Sequence, residues 1–528
     1  MSTVSNAPDL SRGTDPHRVQ AITVFVCVLG ALLYYIWQIH FGFNPRSISD
    51  EHGFRQTQTA VTVQEFEREH GVSLNYGTPF LGRPWSVPFE FPFFQALVYF
   101  LSSSSGLDII TAGRLLSVSA YLLCLWLLFL IARQIGAPEG GPLTAVFGLI
   151  IPFYLFWSRA FLIESTALAL TLAALLFALR TLERAPWFEI FGLFVCSMIA
   201  AATKITTFFP VAVGTALLCS VTIIRELRRS GWVGGCRRLL SSLHLWCIAL
   251  ALVCGLGCAY LWTSFADDIK AAHPLAGYLT SGALKPWIYG SWEQRWEGWR
   301  WEHLLNHYLF GLGSHSYFSL ALLVSALILG LIFSKSRYWV LFFVFLFLLP
   351  IGTFFNLYVV HNYYSNANLL FLLMAVGIAL SGWGGRATWC WVPKVLSVLI
   401  IGSLVTGMAD AHYSRLMVNE IPAVPCLRHL RRVTPKNALI VGFGWGISPE
   451  IAFYSNRRAM LFNGFPLEQW DRALDLQDPR MSKVVVVEPT AHADEIQMAL
   501  HTAEKLGLRE RQIEGCNYRF FSTLRGHQ

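Results

Sequence analysis

Charged residues are scarce in this chain of 528 residues: they make up only 14% of it, whereas hydrophobic residues make up 54%. A water-soluble globular protein carries roughly 25% charged residues. This deficit excludes a single soluble core, and the abundance of apolar residues excludes intrinsic disorder. The apolar residues form long runs, which predict a polytopic α-helical membrane protein.

Zinc-type cysteine spacing is also missing, because none of the eleven Cys belongs to a CxxC pair or a Cys/His cluster. Most of the Cys lie in apolar runs, where a thiol acts as a small hydrophobic group. The first apolar stretch lacks a small-residue cleavage site and is too long for a removable signal peptide. We interpret it as the first membrane span, preceded by a cytoplasmic tail at residues 1–20.

Eleven apolar stretches approach the roughly 20 residues that a helix needs to cross a bilayer. They are 21–40, 112–132, 141–157, 160–179, 187–203, 205–224, 244–264, 317–334, 338–356, 366–381 and 394–411. Residues 92–103 are apolar but too short to span, and residues 54–69 have apolar side chains set among polar ones. Both are predicted to lie flat in the membrane interface.

Arginine and lysine in short loops predict which side of the membrane each loop occupies, since they favour the cytoplasm. The densest basic loop, around 225–238, should therefore be cytoplasmic, and five other basic segments agree with it, including the N-terminal tail. It follows that 41–111, 265–316, 357–365 and the tail from 412 lie on the outer face. We expect a multi-pass protein of the bacterial inner membrane with its N-terminus cytoplasmic and its C-terminus extracytoplasmic.

The composition changes near residue 413, which separates a membrane part at 21–412 from a small α/β domain at 413–528. NALIVGFG, KVVVVEP and YRFFSTL read as strands, and AHADEIQMALHTAEKLG has helical spacing. Cys426 and Cys516 are the only cysteines of this domain. On the outer face they could form a disulfide, and two unpaired buried thiols are the alternative.

Acidic residues that follow the first span are the first candidates for catalysis. Asp50 and Glu51 lie in SISDEHGFRQ, followed by Arg55. Acyl and glycosyl transfer both need a base that deprotonates a hydroxyl, and a carboxylate at the membrane rim suits that role. The alternative is a solvated loop.

Two further acids occupy predicted helix ends. Glu90 lies in VPFEFPFF, where Pro88 and Pro92 restrict the backbone. Glu164 follows Arg159 in FWSRAFLIES, where an outward helix turns back. Ionisable groups near lipid usually mark a function. The alternatives are a helix-dipole contact for Glu90 and a local ion pair for Arg159 with Glu164.

Basic and aromatic residues mark other turns on the same predicted face. Lys204 lies between two spans in AATKITTFFP, and His361, Tyr363 and Tyr364 lie in VVHNYYS. An ammonium there can bind a lipid phosphate or merely snorkel to the interface, and the aromatics can belong to an interfacial belt. The loop 265–316 carries five Trp, beginning with Trp287, that can cap a cavity or anchor in the interface.

The order of these features resembles that of the GT-C fold membrane glycosyltransferases, especially the bacterial aminoarabinose transferase and protein O-mannosyltransferase group. The resemblance spans roughly residues 20–380. It rests on five motifs, in chain order: the Asp50-Glu51 pair, the acid Glu90 between two prolines, R-x-x-x-x-E from Arg159 to Glu164, the TK turn at Lys204, and H-x-Y-Y from His361 to Tyr364. The chain departs from the group in having fewer spans, EFPFF in place of the PPL segment, and Glu in place of Asp at 164. These departures leave the sugar and the acceptor open.

Residue by residue, the resemblance implies that Asp50 is the catalytic base and Lys204 a phosphate ligand. It also implies site positions for Glu90, Glu164 and the His361, Tyr363 and Tyr364 element. From the chemistry of the residues we add Glu51 as a catalytic candidate, Arg55 and Arg159 as phosphate ligands, and Trp287 as a cavity residue.

The predicted function is therefore an inverting glycosyltransferase that moves a hexosyl or pentosyl group from a polyprenyl-phosphate donor to a hydroxyl of a lipid or glycan. The donor carries one phosphate, so no cofactor is required, although a divalent metal near Glu90 is possible. The expected partners are the donor, the acceptor and membrane lipids, with no nucleic acid. A flippase for lipid-linked glycans is the alternative, but such proteins usually show internal repeats, and we find none.

Overall fold

The computed structural model describes residues 16–41, 43, 47–48, 51–183, 186–381, 383, 391–408, 423–513 and 516–523. Its larger part is helical. In chain order the helices are α1 (Pro16–Phe41), α2 (Gly53–Glu69), α3 (Phe93–Ser105), α4 (Ile109–Gln134), α5 (Gly140–Ile150), α6 (Pro152–Trp157), α7 (Glu164–Leu182), α8 (Trp187–Thr203), α9 (Ile205–Leu240), α10 (Leu243–Ala272), α11 (Lys285–Tyr289), α12 (Gly298–Gly311), α13 (Ser316–Phe333), α14 (Arg337–Thr353), α15 (Phe355–Val360), α16 (Ser365–Ser381) and α17 (Val392–Thr406).

The helices that cross the membrane match the predicted spans one by one. Seven of the described helices are long and apolar enough to span, namely α1, α4, α7, α9, α10, α13 and the helix ending at Ser381. Four shorter apolar helices, α5, α8, α14 and α17, coincide with the remaining predictions. The predicted polytopic fold is thus confirmed.

Three segments differ in detail from their predictions. The span predicted at 141–157 is broken, because extended Ile151 precedes Pro152, which begins the separate helix α6. The basic loop predicted after residue 224 is helical through Leu240, with a break at Gly231, where φ is 69°. Glu164 is the first residue of α7, although the sequence placed it a turn inside that helix.

Helix α2 forms where predicted, but the prediction that it lies flat with one face in lipid is wrong. Ten of its seventeen residues are buried. Val61 and Val63 join an apolar cluster that also contains Met460 and Leu461 of the C-terminal domain. Since protein covers both sides of α2, its burial rather than lipid holds it in place. Helix α3 forms as predicted and is too short to span.

The C-terminal part is a small α/β unit. Its elements are α18 (Ala423–Val433), β1 (Leu439–Phe443), α19 (Glu450–Ser455), β2 (Arg458–Leu461), α20 (Leu467–Asp475), β3 (Lys483–Val487), α21 (Ala493–Lys505), β4 (Arg509–Arg511) and β5 (Arg519–Ser522). The strand order is β2-β1-β3-β5-β4, with β1 parallel to β2 and β3 and β5 antiparallel to β3 and β4. The sequence predicted β1, β3, β5 and α21, and missed β2 and β4.

Direct contacts attach this unit to the membrane part. Leu81 forms a β-bridge with Met460, and Gln64 Nε2 donates to the Phe453 carbonyl over 3.1 Å. Cys426 and Cys516 form a disulfide with a Cα–Cα distance of 5.4 Å, so the bridge is confirmed and the alternative of two free thiols is wrong. The predicted boundary near residue 413 lies outside the described residues.

Candidate active site

Helix ends bring the predicted residues together at one end of the bundle. The segment 158–163 joins α6 to α7, and extended Lys204 (φ −157°) separates α8 from α9. Residues 361–364 follow α15, and α2 begins just after Glu51. Each of these positions interrupts a helix, so its side chain is free to point across the end of the bundle rather than along a helix face.

Lys204 and Glu164 form a buried ion pair at the centre of this end. The Lys204 ammonium contacts Glu164 Oε1, and the two side chains are only 7% and 1% exposed. The ammonium also lies 4.4 Å from the centre of the Tyr364 ring and 5.5 Å from that of Tyr363. Ionic pairing and cation–π contact together compensate for the removal of this charge from water.

Arg55 and Glu90 form a second, largely buried ion pair. Arg55 Nη1 donates to Gln58 Oε1 over 2.7 Å, while the Tyr76 hydroxyl donates to the Glu90 carbonyl over 2.9 Å. Burial by itself lowers the pKa of Arg55, but the neighbouring Tyr363, Tyr364 and Glu164 reverse this and leave it raised. Both ion pairs therefore share one electrostatic neighbourhood.

An aromatic group lies beside the two cations. The His361 ring centre is 5.6 Å from that of His52 and 6.0 Å from that of Trp287, and Tyr363 stacks on Tyr364 at 4.8 Å. Burial, aided by His52, Arg55 and Lys204, lowers the pKa of His361 to about 3. His361 is thus neutral at physiological pH, so it can offer a hydrogen bond to an anion but no charge.

Two amide side chains connect the segment around Glu51 to this group. Asn362 Nδ2 donates to Glu51 Oε1 over 2.9 Å. Gln56 Nε2 donates to the Glu51 carbonyl over 2.8 Å, and its Oε1 accepts from the Phe161 backbone N–H over 2.9 Å. Glu51 is therefore held between α2, the 158–163 turn and the 361–364 turn. The neighbouring Asp50 lies outside the described residues.

Arg159 occupies the turn between Glu164 and the aromatic residues. It is 1% exposed, and its guanidinium carbon lies 4.8 Å from the centre of the Phe156 ring. The acid suggested as its local partner, Glu164, contacts Lys204 instead. Arg159 thus supplies another buried positive charge at this end of the bundle.

Sequence reasoning missed several polar residues that position the site. Gln56 and Asn362 lie inside the quoted motifs, but amides carry no charge to mark them. Arg114 is fully buried on α4 and donates through Nη2 to the Ser47 carbonyl over 2.8 Å. An arginine inside a predicted apolar span was a usable signal, because such residues are costly there and face the bundle interior.

The described residues contain no group of three or more His, Cys, Asp or Glu that could hold a metal ion. Glu90, the predicted metal position, has Arg55 as its ion-pair partner. A metal at Glu90 stays a prediction, and binding there would require separation from that guanidinium.

No protein-family model and no curated protein sequence matches this chain. Its structure is similar to that of ArnT from Cupriavidus metallidurans bound to undecaprenyl phosphate, with a TM-score of 0.60 and 13% identity over 97% of this chain and 100% of that one. It is also similar to the archaeal oligosaccharyltransferase AglB from Archaeoglobus fulgidus in complex with an inhibitory peptide and a dolichol-phosphate. There the TM-score is 0.54 and the identity 10%, over 89% of this chain and 70% of that one. At these identities the likeness concerns the fold, and it shows that this chain has the GT-C fold.

Proposed function

We propose that this protein is an inverting glycosyltransferase that moves a sugar from a polyprenyl-phosphate donor to a hydroxyl acceptor at the outer face of the bacterial inner membrane. The observation that carries the proposal is the convergence of Lys204, Arg55 and Arg159 with carboxylates and aromatic rings at one end of a GT-C bundle. The similar structures of ArnT and AglB contain undecaprenyl phosphate and dolichol-phosphate, which supports a donor of this class.

Cations in this arrangement suit the departing phosphate. Lys204 and Arg55 each rest against a carboxylate, and an arriving phosphate would share or replace those partners. As the bond from the anomeric carbon to the phosphate oxygen breaks, negative charge grows on that oxygen. Preplaced cations in a site of low polarity stabilise such charge strongly. Neutral His361 would add a hydrogen bond, while Trp287, Tyr363 and Tyr364 offer faces for the sugar ring.

Asp50 is proposed as the base. It would take the proton of the acceptor hydroxyl while the hydroxyl oxygen attacks the anomeric carbon from the side opposite the phosphate, which inverts the configuration. Glu164 is a weaker candidate because it already neutralises Lys204. Glu51, held by Asn362, is the next alternative. We propose that the single donor phosphate is bound by side chains without a metal.

The test uses the full chain in nanodiscs, supplied with a radiolabelled polyprenyl-phosphate sugar and a bacterial lipid and glycan extract. We expect label to leave the donor and appear in a product whose anomeric configuration, measured by NMR, is inverted. Chelation by EDTA should leave the rate unchanged. Movement of intact lipid-linked sugar across vesicles without its release would support the flippase instead.

Asp50→Asn serves as the chemical control in this assay. It keeps the size of the side chain and removes the base, so transfer should fall by roughly two to four orders of magnitude. Donor binding should change little, because the phosphate ligands remain. Near-normal turnover in the variant would move the base to Glu51 or Glu164.

A further inference from the structure

A polar cavity lies between the C-terminal unit and the membrane part, apart from the residues of the candidate active site. We call it the arginine cleft. Its volume is about 950 Å³, and it is lined by Arg68 of α2 and by Arg428, Arg431 and Arg432 of α18. Arg55 and Arg68 are thirteen residues apart on α2, so the helical rise puts roughly 20 Å between the candidate active site and the cleft.

Positive charge exceeds negative charge in the cleft. Among the described residues that line it, two are acids, Glu67 and Asp108, and four are arginines. Asp108 caps α4 by accepting from the Thr111 backbone N–H over 3.0 Å, and Glu67 Oε1 accepts from Ser102 over 3.2 Å. Both acids thus have hydrogen-bonding roles of their own.

The arginines themselves differ in their partners. Arg68 forms an ion pair with the buried Glu65. Burial and the nearby guanidinium groups of Arg458 and Arg457 lower the pKa of Arg68 to about 10. Arg431 and Arg432 are exposed and form no ion pair with any acid in the part of the chain that the structure describes. A positive field therefore remains for an anion to neutralise.

One wall of the cleft is apolar and leads to the lipid-facing side of the bundle. Leu107, Ile109 and Ile110 line the cleft at the start of α4. Further along the same helix, Leu115 and Leu123 are exposed. A ligand with a charged head and an apolar tail could place its head among the arginines and its tail along α4. A free anion has no tail and would make no contact with the apolar side chains of α4.

We propose that the arginine cleft binds the phosphate-bearing headgroup of a membrane lipid, with the acyl chains following α4. Guanidinium groups bind phosphate through paired, charge-assisted hydrogen bonds, and several of them converge here from two separate elements. Because α18 belongs to the C-terminal unit and α2 to the membrane part, the bound headgroup would also hold the two together.

The experiment compares three probes on the purified full chain by native mass spectrometry: short-chain phosphatidic acid, the matching phosphatidylcholine, and inorganic phosphate. We expect phosphatidic acid to bind at least tenfold more tightly than phosphatidylcholine, with inorganic phosphate unable to displace it at equal concentration. The variant Arg431→Gln/Arg432→Gln should lose this preference by about tenfold. Both residues are exposed, so the variant should fold.

Arg509→Gln/Arg511→Gln is the matched control, since it removes the same charge from exposed strand β4 and should keep the preference. Arg432→Glu provides a second test, because charge reversal should weaken phosphatidic acid binding further. Equal binding by wild type and the cleft variants would overturn the proposal, and so would full displacement by inorganic phosphate, which would make this a free-anion site. No outcome depends on glycosyl transfer, so failure here is distinguishable from failure of the proposed function.

Discussion

Single charges decide whether the proposed site binds a phosphate, and Lys204 is the sharpest case. Lys204→Ala should weaken donor binding and slow transfer together, because the ammonium would contact phosphate in both the ground and transition states. The change also leaves the 1% exposed Glu164 unpaired, and breaking a buried pair in this way costs about 3–5 kcal/mol. Donor titration and thermal unfolding in detergent measure the two effects.

A double variant separates those effects. Lys204→Ala/Glu164→Gln removes both charges, so it should regain stability without regaining donor affinity. Lys204→Arg should recover binding in part, since it keeps the charge but changes its shape, and Lys436→Ala on the exposed surface should change nothing. If Lys204→Ala and the double variant both bind the donor normally, Lys204 does not bind the phosphate and only extends its ammonium to the membrane surface.

Two partly buried histidines make stability depend on pH. The pKa is lowered to about 3 for His361 and about 4 for His307, in each case chiefly by burial. Unfolding returns each group to about 6.5, so the unfolded state binds more protons below that pH and stability falls as the pH drops from about 6.5 toward 4. Thermal unfolding across this range should show the loss.

His307→Gln should flatten that acid-side decline, since it removes one group that gains a proton on unfolding. His315→Gln, at an exposed position, is the control and should leave the profile as it is. An unchanged profile in His307→Gln would show that this ring is not buried in its neutral form.

The ionisable residues of the candidate site could be predicted from the sequence. A charged side chain at the membrane surface has a high energetic cost, so its presence there indicates a role. Lys204, Glu164 and Arg55 were selected for that reason, and the structure brings them into one group. The ion-pair partners of these residues could not be predicted from the sequence. A local pair of Arg159 with Glu164 was the alternative suggested by their proximity in sequence, yet Lys204, forty residues away, contacts that carboxylate.

Among the helices, α4 approaches the 158–163 turn closely because Gly113 of α4 has no side chain. A Cβ placed on Gly113 would clash with the Phe161 ring. That ring is fully buried against Phe94, so it has little room to yield. Gly113→Ala should destabilise the protein by roughly 1–3 kcal/mol through overpacking and disturb the turn that carries Arg159.

Gly257→Ala is the matched control for this prediction, because nothing lies within 4 Å of its added Cβ on α10. There the substitution should be neutral or slightly stabilising, since alanine favours helix. Thermal unfolding and transfer activity should both distinguish the two variants. Equal behaviour would mean that the α4 contact tolerates a side chain.

Hydropathy predicted which segments form helices, but it did not predict whether lipid or protein surrounds each helix. Each of the eleven apolar stretches forms helix over most of its described residues, because backbone groups in lipid must be hydrogen-bonded within their own segment. The amphipathic pattern of 54–69 fits a lipid surface and a protein interface equally well. The C-terminal unit supplies the second face, so α2 is enclosed by protein.

For the whole molecule, the main prediction left to test is that the C-terminal unit lies on the outer side of the membrane. The Cys426–Cys516 bridge closes a loop of about 90 residues, which is worth roughly 4–5 kcal/mol in lost chain entropy, and disulfides persist in oxidising compartments. We expect a membrane-impermeant thiol reagent to label Cys516 on intact cells only after mild reduction. Labelling without reduction would contradict the bridge.

A protease test addresses the same sidedness independently. A tag at Gln528 should be digested by protease added to spheroplasts, whose outer membrane no longer excludes it, while cytoplasmic markers survive. Protection of the tag would place the C-terminal unit in the cytoplasm, and the outward assignment of the candidate site would then be wrong.

Sequence was sufficient for properties that depend on composition and local periodicity. Runs of apolar residues predict the spans, short β-branched runs bounded by Gly and Pro predict β1 and β3, and isolated charges mark the rim residues. Tertiary structure alone decided that Lys204 meets Glu164, that Arg55 meets Glu90, and that α18 encloses a cleft with α2. These contacts join segments from 35 to several hundred residues apart. Their pairing depends on how helices pack, which local patterns do not encode.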